Sequence, residues 1–324
     1  MQRQITFGGG VSPRGTLLRG QGIIEYVLII AVIGLVIVFA GPSVAGAIRN
    51  QFNLVGNTVN SGTSGGVEGG GASGGGSTGA DSATVQVAIA KDAKDWTLEE
   101  QKAVAEDIAK NGTSSIAYAK AKAAMDAGTK FSMKLTDGQT LEYKIIGINH
   151  DDLADGSGKA GLTFLTTSAG IQSRKNATNT NAGGWEKCEL RQKMNSGEIW
   201  NLMPTDFQSK VRAVKKMSVT VVYDATVIQT NDKLFLLSFP EIVGTPPSSW
   251  SGVSWLADQG SQYDVYKGKV FGNSFEYDFL AIGSSWWMRD FGPSGAFLVS
   301  SDGYLAAQTT DASSSNTVCP AWCF

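Results

Sequence analysis

Residues 20–40 constrain this chain more than any other stretch. Val27–Ala40 is an unbroken apolar run, and it follows Gly20-Gln21-Gly22-Ile23-Ile24-Glu25-Tyr26. Gly22–Ala40 is close to the ~20 residues with which a helix spans a bilayer. An ionised carboxylate inside a bilayer is costly, so Glu25 at the start of such a helix requires a partner. Ahead of it the leader carries Arg3, Arg14 and Arg19 and no acid, which predicts a cytoplasmic amino terminus. No small-residue cleavage site follows the apolar run, so a conventional secretory peptide is the weaker reading. Gly41-Pro42 interrupts the ladder, because proline removes a donor and clashes with the preceding turn. Ser43–Leu54 then resumes as a weaker amphipathic helix.

A cut between Gly20 and Gln21 creates an α-amino group close to Glu25 in sequence, and a neighbouring subunit's amine then neutralises the carboxylate. Over residues 15–55 the arrangement Gly-x-x-x-x-Glu-Tyr plus hydrophobic helix resembles the processing site of Flp-type (Tad) pilins, a branch of the type IV pilin superfamily. The resemblance implies Gly20 as the cleavage residue for a prepilin peptidase and Gln21 as the mature amino terminus. Glu25, with Tyr26 after it, becomes the assembly contact to other pilin subunits. It also implies a single-pass prepilin in the inner membrane, then an extracellular pilus or the cell surface. An ordinary signal anchor with a stray glutamate is the alternative, but a random anchor would not place Glu-Tyr at this offset.

Residues 1–20 are thus a cleaved basic leader and 21–56 the pilin or transmembrane helix. Residues 57–82 form a Gly/Ser-rich linker. Its GGGASGGGS run lacks the Gly-Lys-Ser/Thr of a phosphate loop; twenty such residues reach about 25 Å as a flexible coil. Charged residues are 17% of the chain and its formal charge is −2; no basic run appears, so nucleic acid is not an expected partner.

Residues 83–128 read as short helices. Thr97-Leu98-Glu99-Glu100 is a capping box and Asn111-Gly112 a stop; a second, alanine-rich helix covers about Ser115–Ala127. From Phe131 the period changes to two. Phe131, Met133 and Leu135 alternate with polar residues, Asp137-Gly138 turns the chain, and Leu141, Tyr143 and Ile145 continue. Further strands are expected at Leu162–Thr167, Val219–Tyr223, Leu234–Ser238, Trp286–Arg289, Ala296–Ser300, Tyr304–Gln308 and Val318–Phe324. Helices are expected at Gly184–Asn195 and Thr205–Met217. Residues 129–324 are accordingly an α+β domain.

Within that domain several strings recur, in order, in an uncharacterised family of bacterial surface domains. They are Gly147-Ile148-Asn149-His150-Asp151-Asp152-Leu153, Asn181-Ala182-Gly183-Gly184-Trp185, Asp232-Lys233-Leu234-Phe235-Leu236-Leu237-Ser238, Trp286-Trp287-Met288-Arg289 and Ser301-Asp302-Gly303, with the tail Ala321-Trp322-Cys323-Phe324. The pattern distantly resembles the C-type-lectin-like fold shared with formylglycine-generating enzymes, which implies that the two ends of the domain pair as neighbouring strands.

No recognisable nucleophile motif accompanies His150, the only histidine, and its Asn-His-Asp-Asp context suits a hydrogen-bonded turn. Formylglycine-generating enzymes hold copper with a cysteine pair; Cys319 and Cys323, four apart on a strand, would lie roughly 13 Å apart, so that role is not carried over. The three cysteines allow three pairings or none. Cys188 with Cys319 or Cys323 is the expected disulfide, contributing about 2–4 kcal/mol. Asp151, Asp152 and Asp155 lie in a glycine-rich loop and offer oxygen ligands to Ca²⁺, the one cofactor considered, without the alternating spacing of a calcium loop; a solvated acidic loop is the other reading. Trp286, Trp287, Arg289 and Asp290 are the candidate ligand site, with one tryptophan expected in the core and one on the surface.

These readings converge on a non-enzymatic pilus subunit, a minor or decorated pilin whose head binds an unknown surface ligand. A membrane-anchored display protein that does not polymerise is the alternative, and a formylglycine-generating-like enzyme the more remote one.

Overall fold

Apolar stripes at helical spacing open the computed structural model, which describes residues 82–221, 224–244, 254–269, 277–292 and 295–324. These all belong to one of the chain's two compact units, residues 75–324. Helix α1 (Ser82–Ala90) buries Val85 and Ala88, and the Trp96 indole donates to the Ala88 carbonyl at 2.7 Å. Helix α2 (Leu98–Asn111) begins at the predicted capping box: the Glu100 amide donates to the Thr97 hydroxyl at 3.3 Å, and the Thr97 amide to the Glu100 carboxylate at 2.7 Å. Gly112, at φ +57°, ends it. Helix α3 (Tyr118–Asp126) is shorter than its alanine-rich pattern suggests.

The alternating segments form β1 (Lys130–Lys134), β2 (Thr140–Ile148), β3 (Leu162–Thr166) and β4 (Gln172–Ser173). Short helices α4 (Glu189–Asn195), α5 (Glu198–Leu202) and α6 (Thr205–Gln208) precede a hairpin, β5 (Val214–Val221) and β6 (Asp224–Asp232). Then come β7 (Leu234–Phe235), α7 (Phe239–Val243), β8 (Trp286–Gly292), β9 (Gly295–Val299), β10 (Leu305–Thr310), β11 (Asn316–Thr317) and β12 (Ala321–Cys323). One five-stranded sheet has the order β1-β2-β3-β12-β7 and another β10-β9-β8-β11-β4; β5 and β6 pair with each other. In the β1–β2 hairpin Phe131 faces Tyr143 and Met133 faces Leu141, as the alternation requires. One continuous buried cluster joins the helices to the sheets. Their close approach depends on Gly161, where an added Cβ would stand 1.8 Å from the Ala105 carbonyl oxygen in α2.

Four expectations are corrected. Among the described residues no helix is long and apolar enough to cross a membrane. The expected single-pass membrane prepilin is corrected to an α+β fold with no such helix among the described residues. The segments behind that expectation, the leader 1–20, the helix 21–56 and the linker through residue 81, lie outside the described residues, as do Gly20, Gln21, Glu25 and Tyr26. The terminal strands do not pair as the lectin-like resemblance implied: β2 and β3 separate β1 from β12.

The helix expected at Thr205–Met217 stops at Gln208 and gives way to β5, paired with an unforeseen β6. Val214, Lys216 and Ser218 face inward there while Lys215 and Met217 are half-buried; two of three core-facing positions are polar, which hides the period of two. Finally, both Trp286 and Trp287 are buried. Every residue of β8 is buried, because this central strand is covered on both faces.

Candidate functional site

Four ionisable side chains from separate parts of the chain meet in the core. After β2 the chain turns through Asn149, at φ +49°, a left-handed conformation that asparagine tolerates better than most residues. Asp151 is thereby buried. Lys216 enters from β5 and Arg289 from β8. Glu241 stands in the first turn of α7, where its carboxylate accepts the Ser238 amide at 2.8 Å in a capping box. Their exposures are 5% for Asp151, 2% for Lys216, 2% for Glu241 and 0% for Arg289.

The charges alternate along the contacts. Lys216 Nζ is 2.5 Å from Asp151 Oδ1 and 2.9 Å from Glu241 Oε1, and Glu241 Oε2 is 2.8 Å from Arg289 Nη1. Hydrogen bonds complete the set. The Thr163 hydroxyl donates to Asp151 Oδ2 at 2.6 Å, and the Tyr263 hydroxyl contacts both Asp151 oxygens at 3.0 Å. Lys216 also donates to the Tyr263 oxygen at 2.9 Å. Arg289 donates to the carbonyls of Leu236 at 2.6 Å and Gln259 at 2.5 Å. The Phe235 ring lies 3.8 Å from Lys216 Nζ. Tyr263 is pressed against β2 at Gly147, where a Cβ would stand 2.8 Å from its ring.

Burial by itself raises the Asp151 carboxyl, but the Lys216 ammonium and the adjoining His150 hold it well below the usual carboxylate range. Burial likewise opposes ionisation of Glu241, and Arg289 with Lys216 reverses the effect. Burial works against the Lys216 charge, yet Asp151 and Glu241 raise its pKa. The Tyr263 phenol and the Cys323 thiol are pushed up, first by burial and then by Asp151. The site is thus a closed set of two cations and two anions that lock the turn after β2, β5, α7 and β8 together.

The sequence-predicted residues divide around this site. Asp151 belongs to it, but its expected companions do not. Asp152 pairs with Lys159 at 3.0 Å and Asp155 with Arg212 at 2.6 Å, both at the surface. The three carboxylates are therefore engaged separately, and among the described residues no cluster of His, Cys, Asp and Glu is arranged to hold a metal ion. Trp286 and Trp287 are core residues that donate to the carbonyls of Leu280 and Ser173. Arg289 serves Glu241, and Asp290 accepts the Phe239 amide at 2.6 Å. Cys188, Cys319 and Cys323 are buried free thiols, which removes the expected Cys188 disulfide. Cys323 instead stands 3.6 Å from Asp151 Oδ2. His150 stacks on Tyr263 and its Nε2 lies 3.1 Å from the Ser261 carbonyl. A surface depression of about 340 Å³ lies elsewhere, lined by Asp92, Ala93, Lys94, Lys120, Ala123, Ala124 and Thr129. Its two lysines already bond to Asp95 and to the Ile89 carbonyl.

A family model described as a domain of unknown function (DUF6273) matches residues 160–323, half of the chain. The chain belongs to the DUF6273 family. No curated protein and no solved structure matches it. Lys216, Glu241, Tyr263 and Arg289 fall within the DUF6273 match and Asp151 just before it. Sequence reasoning missed Lys216, Glu241, Tyr263 and Thr163. Ser238-Phe239-Pro240-Glu241 does carry the spacing of a capping box, the one local signal that marks Glu241.

Proposed function

We propose that this DUF6273 protein is a pilin-type assembly subunit whose body, residues 82–324, is a rigid binding or adhesion module and not an enzyme. The observation that carries the reading is Gly20-Gln21 followed by Glu25-Tyr26 at the head of the apolar run Val27–Ala40. Removal of residues 1–20 takes away three arginines and exposes an amine that neutralises Glu25 of a neighbouring subunit, so cleavage and polymerisation are coupled. Its partners are then a prepilin peptidase, other pilin subunits and a ligand of the body's surface. Support for the non-catalytic part comes from the core: the acids and bases that meet there contact one another, which suits a stiff module.

The amino-terminal sequence of the chain recovered from sheared filaments tests it. A start at Gln21 is the expected result. A chain that begins at Met1, or that is missing from the filaments, overturns the assignment.

A further inference from the structure

Lys216, Asp151 and Glu241 are placed for a reaction between side chains of this one chain. The 2.5 Å contact between Lys216 Nζ and Asp151 Oδ1 holds the amine directly against the carboxyl group, so the two reactants are already brought together. Asp151 Oδ2, the oxygen on the other side, faces the hydroxyls of Thr163 at 2.6 Å and Tyr263 at 3.0 Å. Two O–H donors there stabilise negative charge on a tetrahedral centre. Glu241 Oε1, 2.9 Å from the same Nζ, accepts and returns a proton. Phe235 covers the amine, and the whole group is buried.

We infer that Lys216 and Asp151 join as an intramolecular isopeptide bond, with Glu241 as the proton carrier. The first proton moves from Nζ to Oδ1 along their hydrogen bond, leaving a neutral amine and a neutral acid. The Nζ lone pair then adds to Cγ, and the charge falls on Oδ2 between Thr163 and Tyr263. Glu241 takes a second proton from the nitrogen and returns it to Oδ1. The Cγ–Oδ1 bond breaks, Oδ1 leaves as water, and the amide keeps one hydrogen on nitrogen. Nothing is oxidised or reduced, and no co-reactant is needed. The charge balance favours this product. Condensation removes one buried cation and one buried anion, each of which is costly to keep out of water, and leaves the Glu241–Arg289 pair at 2.8 Å with no net charge.

The test is peptide mapping of the denatured full chain by mass spectrometry, and it is independent of whether the chain polymerises. The expected result is a branched species joining the Asp151 and Lys216 peptides, lighter than their sum by one water. Two linear peptides at full mass, with Lys216 open to an amine reagent after denaturation, overturn the inference and leave an ordinary ion pair. Lys216→Arg keeps the charge and removes the reactive amine, so its map contains no branch; a branched Asp151 peptide in that variant also sinks the assignment. Glu241→Gln, checked for folding by near-UV circular dichroism, should leave the peptides linear. A folded Glu241→Gln chain that is fully branched would overturn the carrier role. If that variant does not fold, the wild-type and Lys216→Arg maps still decide the bond.

Discussion

Lys216 with Asp151 and Lys175 with Asp290 are both lysine–aspartate combinations in the same core, at 0–5% exposure, yet their surroundings push them in opposite directions. Lys216 touches two carboxylate oxygens, at 2.5 and 2.9 Å; its pKa is raised and that of Asp151 lowered. Lys175 reaches the backbone carbonyls of Arg289 at 3.2 Å and Asp290 at 2.9 Å, with the Phe291 ring 3.9 Å away. Burial therefore prevails and pushes Lys175 down to about 8. Burial likewise pushes Asp290 up to about 6, since one of its oxygens bonds only to the Phe239 amide and the other has no partner among the described residues. The contrast teaches that burial does not set the sign of the shift. Direct contact between opposite charges does.

The largest effect should come from breaking the satisfied network. Arg289→Met takes its buried cation from Glu241 and its guanidinium donor from the Leu236 carbonyl, and leaves the Gln259 carbonyl with the Ser238 hydroxyl alone. Removal of one partner from a buried pair costs about 3–5 kcal/mol, and urea denaturation measures it. A loss below about 1 kcal/mol would place the two regions on the same footing and undo the comparison.

The Lys175–Asp290 region should respond to pH with the opposite sign for its two members. Asp290 titrates at about 6 in the native state against 3.8 ordinarily. Between those values the native chain holds a proton that the unfolded chain has lost, so stability falls as pH rises, by up to roughly 3 kcal/mol. Asp290→Asn should remove that slope. Lys175 titrates at about 8 against 10.5; across that window the unfolded chain binds the extra proton, so stability rises with pH. Lys175→Met should flatten this second slope. Denaturation midpoints of each variant against wild type over pH 4–10 separate the two. Glu241 behaves conversely. Its lowered carboxyl pKa gives stability that is present above the ordinary carboxylate range and lost on acidification.

Legibility in the sequence followed the distance over which a feature is determined. The start of α2 needed only Thr97 and Glu100, three residues apart, and the β1–β2 hairpin only its own alternation and turn. Of the β5–β6 hairpin only the end of β5 was visible, in the strand expected at Val219–Tyr223, because Lys216 and Ser218 occupy core positions that the hydrophobic pattern reserves for apolar residues. The charge network was out of reach altogether. Lys216 meets Asp151 across 65 residues and Glu241 across 25, and Arg289 meets Glu241 across 48. No local pattern indicates which of the many acids and bases of the chain will share one enclosed space. Nor do Asp151 and Asp152 differ in sequence context in any way that shows which one turns inward. The tryptophans failed for a related reason: alternation assigns one face of a strand to solvent, and β8 has covers on both.

The smallest effect sharpens the comparison most directly, because it lies one residue from the network. Asp152 forms its ion pair with Lys159 at 3.0 Å, where the two side chains are 62% and 50% exposed. Solvent screens this pair, and the ordering of two long side chains offsets most of its attraction, so a double-mutant cycle with Asp152→Asn and Lys159→Met should give a coupling of about 0.2–1 kcal/mol that shrinks with added salt. Calcium titrated into the wild type should leave the denaturation midpoint unchanged, since Asp151 is held by Lys216 and Tyr263 and cannot join Asp152 at an ion. A salt-resistant coupling of several kcal/mol would mean that proximity alone stabilises an ion pair in this fold. A weak, screened coupling at Asp152 beside the large loss on Arg289→Met would assign the difference to enclosure and contact together, the same pair of conditions that separates Lys216 from Lys175.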